Sequence, residues 1–291
     1  MSPLLASSVD LEPVEQVRTL LVDRIEKGEL RLPLLPQVAH QVMTLTNDPD
    51  SDVTRLASLI QQDQALAGQI LSVANSPAYM PRSPIVSLQQ AVAWLGMKHL
   101  ADMALMVSIQ SGVFRVQGFE AEVKALWRHA LATGLFGKEI ARLGRHNVEN
   151  AFLCGLLHAV GKPVILHNVI EIQKLQDLHL PWNSIGDFME EFHVSVGNLL
   201  TENWKLPDQV KEAITYYKDH TYKHAPSPTK VALITCLADH LASYLLEPTL
   251  MDEETLLALP VIQDLNLYSE DVSSLLEQGE PILKTLDSMP L

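Results

Sequence analysis

Apolar side chains recur at intervals of three or four residues along most of the chain, the spacing that places them on one face of an α-helix. Between residues 119 and 143, for example, Val123, Leu126 and Ala130 fall on a common face. The strict alternation of apolar and polar residues that is typical of half-buried strands is nearly absent. The pattern therefore predicts an all-α fold, arranged as a multi-helix bundle.

Start and stop signals divide this pattern into separate helices. Ser51 and Ser87 are suited to capping helix N-termini, Pro36 to a first helical turn, and Gly96 to a helix end. Helices are predicted at 35–47, 51–60, 64–75, 87–96, 98–114, 119–143, 150–160, 184–204, 207–218 and 228–246. The segments 226–228 and 247–248 are the predicted linkers.

The composition is that of a folded protein with a sizeable core, since 47% of the 291 residues are hydrophobic and 19% are charged. The formal net charge of -14 argues against binding to nucleic acid or to anionic membranes. Most of this charge lies in residues 247–291, which hold ten acidic residues and one basic residue, Lys284. This acidic tail is expected to form short amphipathic helices that pack on the bundle or dock a basic partner.

The two cysteines, Cys154 and Cys236, are too few for a disulfide framework and lie inside apolar runs. We expect both to be small buried hydrophobic residues in a cytoplasmic protein. No stretch of about 18 uncharged apolar residues occurs, so a membrane span is not expected either.

Three polar residues occupy positions where helix periodicity predicts burial. His158 lies in the apolar run 151–166, Asp239 lies in the apolar run 231–246, and His129 shares a face with part of the apolar stripe of its helix. A buried carboxylate or imidazole requires a partner. One interpretation is a site for Zn, Mn or Fe, because imidazole and carboxylate are ligands of these metals. The alternative is an Asp–His hydrogen-bonded pair that only satisfies polar groups in the core.

Three blocks in the first half of the chain match the pattern of a known family. They are LPLLPQVAHQVM at 32–43, LASLIQQDQALAGQILSVANSPAY at 56–79 and SLQQAVAWLGMKHLADMAL at 87–105. The sequence resembles the HDOD proteins, bacterial signalling relatives of the HD-type metal-dependent phosphohydrolases, over about residues 24–246. The resemblance implies an N-terminal helical extension at 1–23, a smaller helical subdomain at 24–118, an HD-superfamily-like core at 119–246 and the acidic helical tail at 247–291.

The resemblance also implies the residues of a metal site. The HD pattern is a His, then a His-Asp pair, then a later Asp, which together bind one or two metals that activate water against a phosphoester. Here LWRHA supplies His129, GLLHAVGK supplies His158 and Lys162, and LADHLA supplies Asp239. The residue after His158 is Ala159, so the carboxylate that would bridge two metals is missing. A binuclear phosphodiesterase is therefore not expected.

A second departure concerns the HD-GYP branch, which hydrolyses cyclic di-GMP. In that pattern a further His precedes a Gly, and two adjacent His follow. His193 and Gly197 match the first part, but Tyr216 and Tyr217 stand at the paired position, and the sequence contains no Gly-Tyr-Pro tripeptide. His193 and Lys162 are candidates for lining a pocket or contacting a phosphate, with a structural histidine and a solvated lysine as the alternatives.

We therefore predict a non-catalytic regulatory protein that acts through signalling proteins on separate chains or through a bound ligand. No cofactor is expected; if one is present, it would be a single divalent Fe, Mn or Zn. The first alternative is a one-metal phosphohydrolase that acts on a nucleotide or cyclic dinucleotide and uses His129, His158 and Asp239. The second alternative is a metal-free small-molecule sensor that uses the vestigial pocket.

Overall fold

The computed structural model describes residues 11–34, 37–46, 52–76, 79, 81, 83–112, 116–218, 230–249 and 251–288. Within these ranges the regular secondary structure is entirely helical, which confirms the all-α prediction. The core of this fold lies around the predicted HD-like helices, where Phe136, Phe152 and Phe188 are fully buried.

Six helices make up the N-terminal part: α1 (Leu11–Lys27), α2 (Gln37–Thr46), α3 (Val53–Gln61), α4 (Gln64–Ala74), α5 (Leu88–Leu95) and α6 (Met97–Gly112). Ser87 caps α5 as predicted, because its side chain accepts a hydrogen bond from the backbone N–H of Gln90. Asp52 caps α3 in the same way. The predicted signals at Pro36, 47–49 and Ser51 lie outside the described residues.

Helix α1 packs on α9 (Gly161–Gln176) and α10 (Trp182–Trp204) of the HD-like core. It continues to Lys27, through the predicted boundary between residues 23 and 24. Its contacts are with helices of the HD-like core, and Arg24 donates a hydrogen bond of 3.0 Å to Glu171. Beyond the helix, the backbone N–H of Arg31 bonds to the side chain of the buried Asn168 at 3.1 Å.

The HD-like core consists of α7 (Glu120–Leu143), α8 (Val148–Leu157), α9 (Gly161–Gln176), α10 (Trp182–Trp204), α11 (Asp208–Tyr216) and α12 (Lys230–Leu246). The prediction that His158 lies within a helix at 150–160 is wrong in one respect, because α8 ends at Leu157 and His158 is its C-cap. The apolar run 151–166 is therefore divided between two helices. The predicted linker at 226–228 lies outside the described residues.

Two glycines allow the helices around this break to approach closely. A Cβ atom at Gly155 would lie 2.7 Å from the backbone oxygen of Thr133 on α7. A Cβ atom at Gly161 would lie 2.2 Å from the backbone oxygen of His193 on α10. Real Cβ atoms do not approach this closely, so these two positions fix where α8 meets α7 and where α9 meets α10.

The acidic tail folds into α13 (Glu253–Leu257), α14 (Pro260–Asp264), α15 (Ser269–Glu277) and α16 (Gly279–Ser288). These helices pack against α7 and α12, and Leu256, Val272 and Leu286 are fully buried. Arg128 on α7 donates a hydrogen bond of 2.9 Å to Asp287 on α16. The tail is thus part of the same hydrophobic core as the HD-like helices.

The segment Val148–Gln176 is long and apolar enough to cross a membrane by length and composition alone. It comprises α8, α9 and the break between them, and 83% of its most apolar window is buried inside the protein. The core helices of globular proteins pass the same test, so this is weak evidence for a membrane span.

Candidate metal centre

Three helices bring His129, His158 and Asp239 together. His129 comes from the middle of α7, His158 caps the end of α8, and Asp239 comes from α12. The Nε2 atom of His129 lies 2.7 Å from Oδ1 of Asp239, and the Nε2 atom of His158 lies 3.1 Å from the same oxygen. One carboxylate oxygen is therefore shared by two imidazoles.

The backbone fixes the orientation of the His158 ring. Its Nδ1 atom lies 2.6 Å from the carbonyl oxygen of Gly155, so Nδ1–H donates to that oxygen. A neutral His158 consequently presents the lone pair of Nε2 toward Asp239. The lone pair of this nitrogen and a lone pair of Oδ1 of Asp239, 3.1 Å away, repel each other unless a proton or a cation lies between the two atoms. Donation of the second ring N–H to a carbonyl is also the arrangement that orients metal-binding histidines.

Asp239 is ionised at neutral pH. Burial alone would raise the pKa of this carboxyl, but the hydrogen bonds and positive charge of His129 and His158 outweigh burial and hold the pKa well below its ordinary value. The carboxylate therefore needs positive charge from its neighbours, from protons on the imidazoles or from a cation.

The three side chains fit a divalent metal. Their ligand atoms all lie within 4.8 Å of one another, and they form the one metal-binding group found among the described residues. Two imidazoles and one carboxylate are a recognised ligand set for Fe and also suit Zn or Mn, with positions left open for water or substrate. A metal held by His129, His158 and Asp239 would lower the pKa of a bound water and polarise a phosphoryl oxygen.

Ala159 and two of the three metal-ligand candidates, His129 and Asp239, line one open cavity of about 630 Å³, whereas the buried His158 does not. His129 and Asp239 contribute to its wall, whereas apolar side chains such as Leu126 and Trp182 contribute much of the rest. Ala159 presents a methyl group where the HD pattern has a carboxylate. The cavity is therefore open at the position of the missing ligand.

Charged side chains in the cavity wall are mostly acidic. Four carboxylates and two ammonium groups line it: Glu122, Glu190, Asp239, Glu247, Lys162 and Lys218. The sum of their formal charges is negative when the imidazoles are neutral. An anionic ligand would thus meet net repulsion unless a bound cation offsets it.

Lys162, a candidate phosphate contact from the sequence, is already paired. Its ammonium group donates to Oε1 of Glu190, and Lys218 donates to Oε2 of the same carboxylate. Burial alone would raise the pKa of Glu190, but the two lysines lower it to about 2. A phosphate could reach Lys162 only by displacing or adding to Glu190.

His193 does not line this cavity. It is 1% exposed, and its Nδ1–H donates to the backbone oxygens of Met189 and Glu190. Its Nε2 accepts a hydrogen bond of 2.8 Å from the hydroxyl of Tyr217. Burial, reinforced by Lys218 and Lys162, lowers the pKa of His193 to about 4, so the ring is neutral at neutral pH.

Tyr217 stands at one of the positions where the HD-GYP pattern has paired histidines, and it is buried. Its ring packs edge-on against His158, with centroids 4.8 Å apart, and burial raises the pKa of its hydroxyl well above the ordinary value. The roles of Glu190 and Lys218 were not predicted, and the sequence carried no signal for them. Their pairing depends on how α10 and α11 pack.

Both cysteines are free and buried, as expected. Burial raises the pKa of Cys154 and of Cys236 to about 12, so both remain thiols at neutral pH. A metal would need the thiolate form, and neither residue belongs to the ligand group described above.

The fold and this site agree with the comparison to known sequences. The sequence model of the HDOD domain matches residues 32–220, which is more than half of the chain. The chain belongs to the HDOD family. The matched part of this HDOD protein includes α2–α11, and Asp239 and the acidic tail lie beyond it.

One protein with a similar sequence is longer than this HDOD protein. An uncharacterised protein of Treponema pallidum (strain Nichols) is 27% identical over 225 residues, which is 74% of this chain and 42% of that protein. The chain thus spans less than half the length of this relative.

Two solved structures show the same fold. A candidate metal-dependent phosphohydrolase from Shewanella amazonensis SB2B has a TM-score of 0.76 and 20% identity, covering 96% of this chain and 98% of its own. A candidate signal transduction protein from Marinobacter aquaeolei VT8 has a TM-score of 0.62 and 21% identity, covering 98% of this chain and 68% of its own. At these identities the likeness concerns the fold alone.

Proposed function

We propose that this HDOD protein is a non-catalytic regulatory protein of the cytoplasm. Its helical bundle would transmit a signal through contacts with proteins on separate chains or through a ligand bound in the cavity. Neither nucleic acid nor a membrane is proposed as a partner, because the chain carries a formal net charge of -14.

The observation that carries this proposal is the ligand count at the metal centre. Ala159 takes the place of one carboxylate, and the remaining one, Asp239, is shared by both imidazoles. Two divalent ions bring four positive charges, which one carboxylate cannot offset. The negative wall of the cavity also disfavours a phosphoester when no cation is bound.

The similar structures support both a regulatory and an enzymatic interpretation. The Marinobacter protein carries the name of a candidate signal transduction protein, and the Shewanella protein that of a candidate phosphohydrolase. The match covers only 42% of the relative from Treponema, so that protein is longer than this chain and contains further segments. An HDOD region can therefore occur together with other segments, as expected of a regulatory module.

A one-metal phosphohydrolase is the second candidate, and the orientation of His158 favours it. Because Nδ1–H of His158 donates a hydrogen bond to the backbone oxygen of Gly155, Nε2 of the ring is available to bind a metal together with His129 and Asp239. Such an enzyme would act on a nucleotide or cyclic dinucleotide. In that case this chain would supply the metal ligands, and the cavity beside them would hold the substrate.

Hydrolysis assays on the full chain test the proposal. Protein purified without chelator is supplied with Mn²⁺, Fe²⁺ or Zn²⁺ and offered nucleotides and cyclic dinucleotides, with His129→Ala as the control. The proposal predicts equal, background rates for both proteins. Metal-dependent turnover that His129→Ala abolishes would establish the phosphohydrolase instead.

Elemental analysis of the same preparation adds a separate measure. The enzyme candidate requires a retained metal, whereas less than about 0.1 metal ion per chain would leave it without a cofactor. A metal-free sensor would show a raised melting temperature with a small-molecule ligand and the same shift after metal removal. Loss of that shift in Trp182→Ala would place the ligand in the cavity.

A further inference from the structure

The ring of Tyr217 packs against two histidines, His158 and His193. Its ring contacts the edge of His158, with centroids 4.8 Å apart, and that of His193, with centroids 5.9 Å apart. Its hydroxyl donates a hydrogen bond to Nε2 of His193. The other ring nitrogen of His193, Nδ1, already bonds to backbone oxygens. The space between His158 and His193 is thus filled by a phenol.

The surrounding backbone holds this arrangement in place. Tyr217 is 1% exposed and is the C-cap of α11. The backbone oxygen of His193 packs so closely on Gly161 that no side chain fits between them. A Cβ atom at Gly197, one turn further along α10, would lie 2.9 Å from Ile214 of α11. Helices α9, α10 and α11 are therefore closely packed next to the helix end that carries Tyr217.

We propose that Tyr217 is a plug that limits the metal centre to at most one cation, even when the missing carboxylate is restored. A second metal would lie about 3.5 to 4 Å from the first and would need donors beyond His129, His158 and Asp239. His193 packs on the same phenol ring as His158, and the one lone pair that it could offer accepts the hydrogen bond from Tyr217. This inference goes beyond the proposed function, because it concerns capacity for metal and not turnover.

Metal stoichiometry of reconstituted full-length variants tests the plug. Ala159→Asp supplies the carboxylate, and Ala159→Asp with Tyr217→His supplies it and replaces the phenol by a ligand. After loading with Mn²⁺ and removal of excess metal, we expect about one ion per chain in the first variant and about two in the second. An exchange-coupled pair of Mn²⁺ ions in the electron paramagnetic resonance spectrum identifies the second state.

Tyr216 provides the matched control, since it is adjacent but bonds to neither histidine in the described contacts. Ala159→Asp with Tyr216→His should bind about one ion, like Ala159→Asp alone. Two ions in Ala159→Asp alone or in this control would overturn the proposal. It would also be overturned if the Tyr217→His double variant, shown by circular dichroism to be folded, bound only one.

Tyr217→Phe keeps the ring and removes only the hydroxyl. In the Ala159→Asp background it should still bind about one ion, because the ring and not the hydrogen bond fills the space. Two ions in this variant would contradict the steric part of the proposal. All of these counts are measured without substrate, so they can fail or succeed independently of the hydrolysis assay.

Discussion

Asp239 connects the two imidazoles of the metal centre and is the residue on which the geometry of the site depends. Its carboxylate is mostly buried and ionised, and both of its close contacts are made through Oδ1. The carboxylate thus has a stabilising role even when no metal is bound. If the protein is non-catalytic, as proposed, this stabilising role alone would be a reason for the carboxylate to remain.

Replacing Asp239 with Asn should lower the free energy of unfolding by about 1.5–3 kcal/mol, the usual range for hydrogen bonds to a charged group. Urea denaturation of chelator-treated protein measures this change. The exposed Asp177→Asn is the control and should be near neutral, because Asn is tolerated in the left-handed conformation found there. Equal stability of Asp239→Asn and the wild type would show that the shared carboxylate is not stabilising.

Asp102 is a second buried carboxyl, on the face of α6 that meets α8. It is 7% exposed, and its Oδ2 atom has no hydrogen-bond partner among the described residues. Burial raises its pKa from 3.8 to about 8; Lys98 opposes this shift and Glu149 adds to it. The folded protein thus keeps a proton that the unfolded chain loses at much lower pH.

The raised pKa of Asp102 makes the folded protein less stable as the pH rises. The contribution of Asp102 to stability is fully present below about pH 4 and declines as the pH rises toward 8, by up to about 1.4 kcal/mol per pH unit. Urea denaturation between pH 5 and pH 8 should show this slope in the wild type and in Asp177→Asn. Asp102→Asn should lack it, and an unchanged slope in that variant would contradict the assignment.

At the level of the elements, the crossing of α9 and α10 positions both the cavity and the Tyr217 plug. Gly161→Ala places a methyl group on the backbone of His193 and should cost about 1–3 kcal/mol or more. Gly186→Ala, in α10 with no atom within 4 Å of its Cβ, should instead stabilise the protein by up to about 1 kcal/mol. Thermal unfolding of both variants measures the difference, and similar effects would mean that the crossing is not close.

The break between α8 and α9 shows what periodicity could not predict. The helix predicted at 150–160 ends three residues earlier, at Leu157. The prediction missed this end because apolar residues continue on both sides of His158 and give no signal for a helix end there. The resemblance to the HD pattern did predict that His129, His158 and Asp239 belong to one site, and the structure brings these three side chains together. The resemblance could not predict the pairing of Lys162 with Glu190, because that contact joins residues 28 positions apart through the packing of α9 on α10.

At the level of the whole molecule, the acidic tail is a structural part of the bundle. Leu256→Ala should lower the free energy of unfolding by about 2–5 kcal/mol, because Leu256 is fully buried. Its neighbour Leu257 is 44% exposed, so Leu257→Ala in the same short helix is a matched control with a much smaller expected effect. If the two variants unfold at the same urea concentration, the tail does not pack on α7 and α12 as described.

In the proposed function, this HDOD protein retains the geometry of a metal centre but not its catalysis. The decisive quantity is the ratio of hydrolysis rates between Mn²⁺-supplied wild type and His129→Ala, measured on cyclic dinucleotides. We expect a ratio of about one, because one shared carboxylate and a negative cavity wall do not support turnover. A ratio of about ten or more, lost again on adding a chelator, would contradict it.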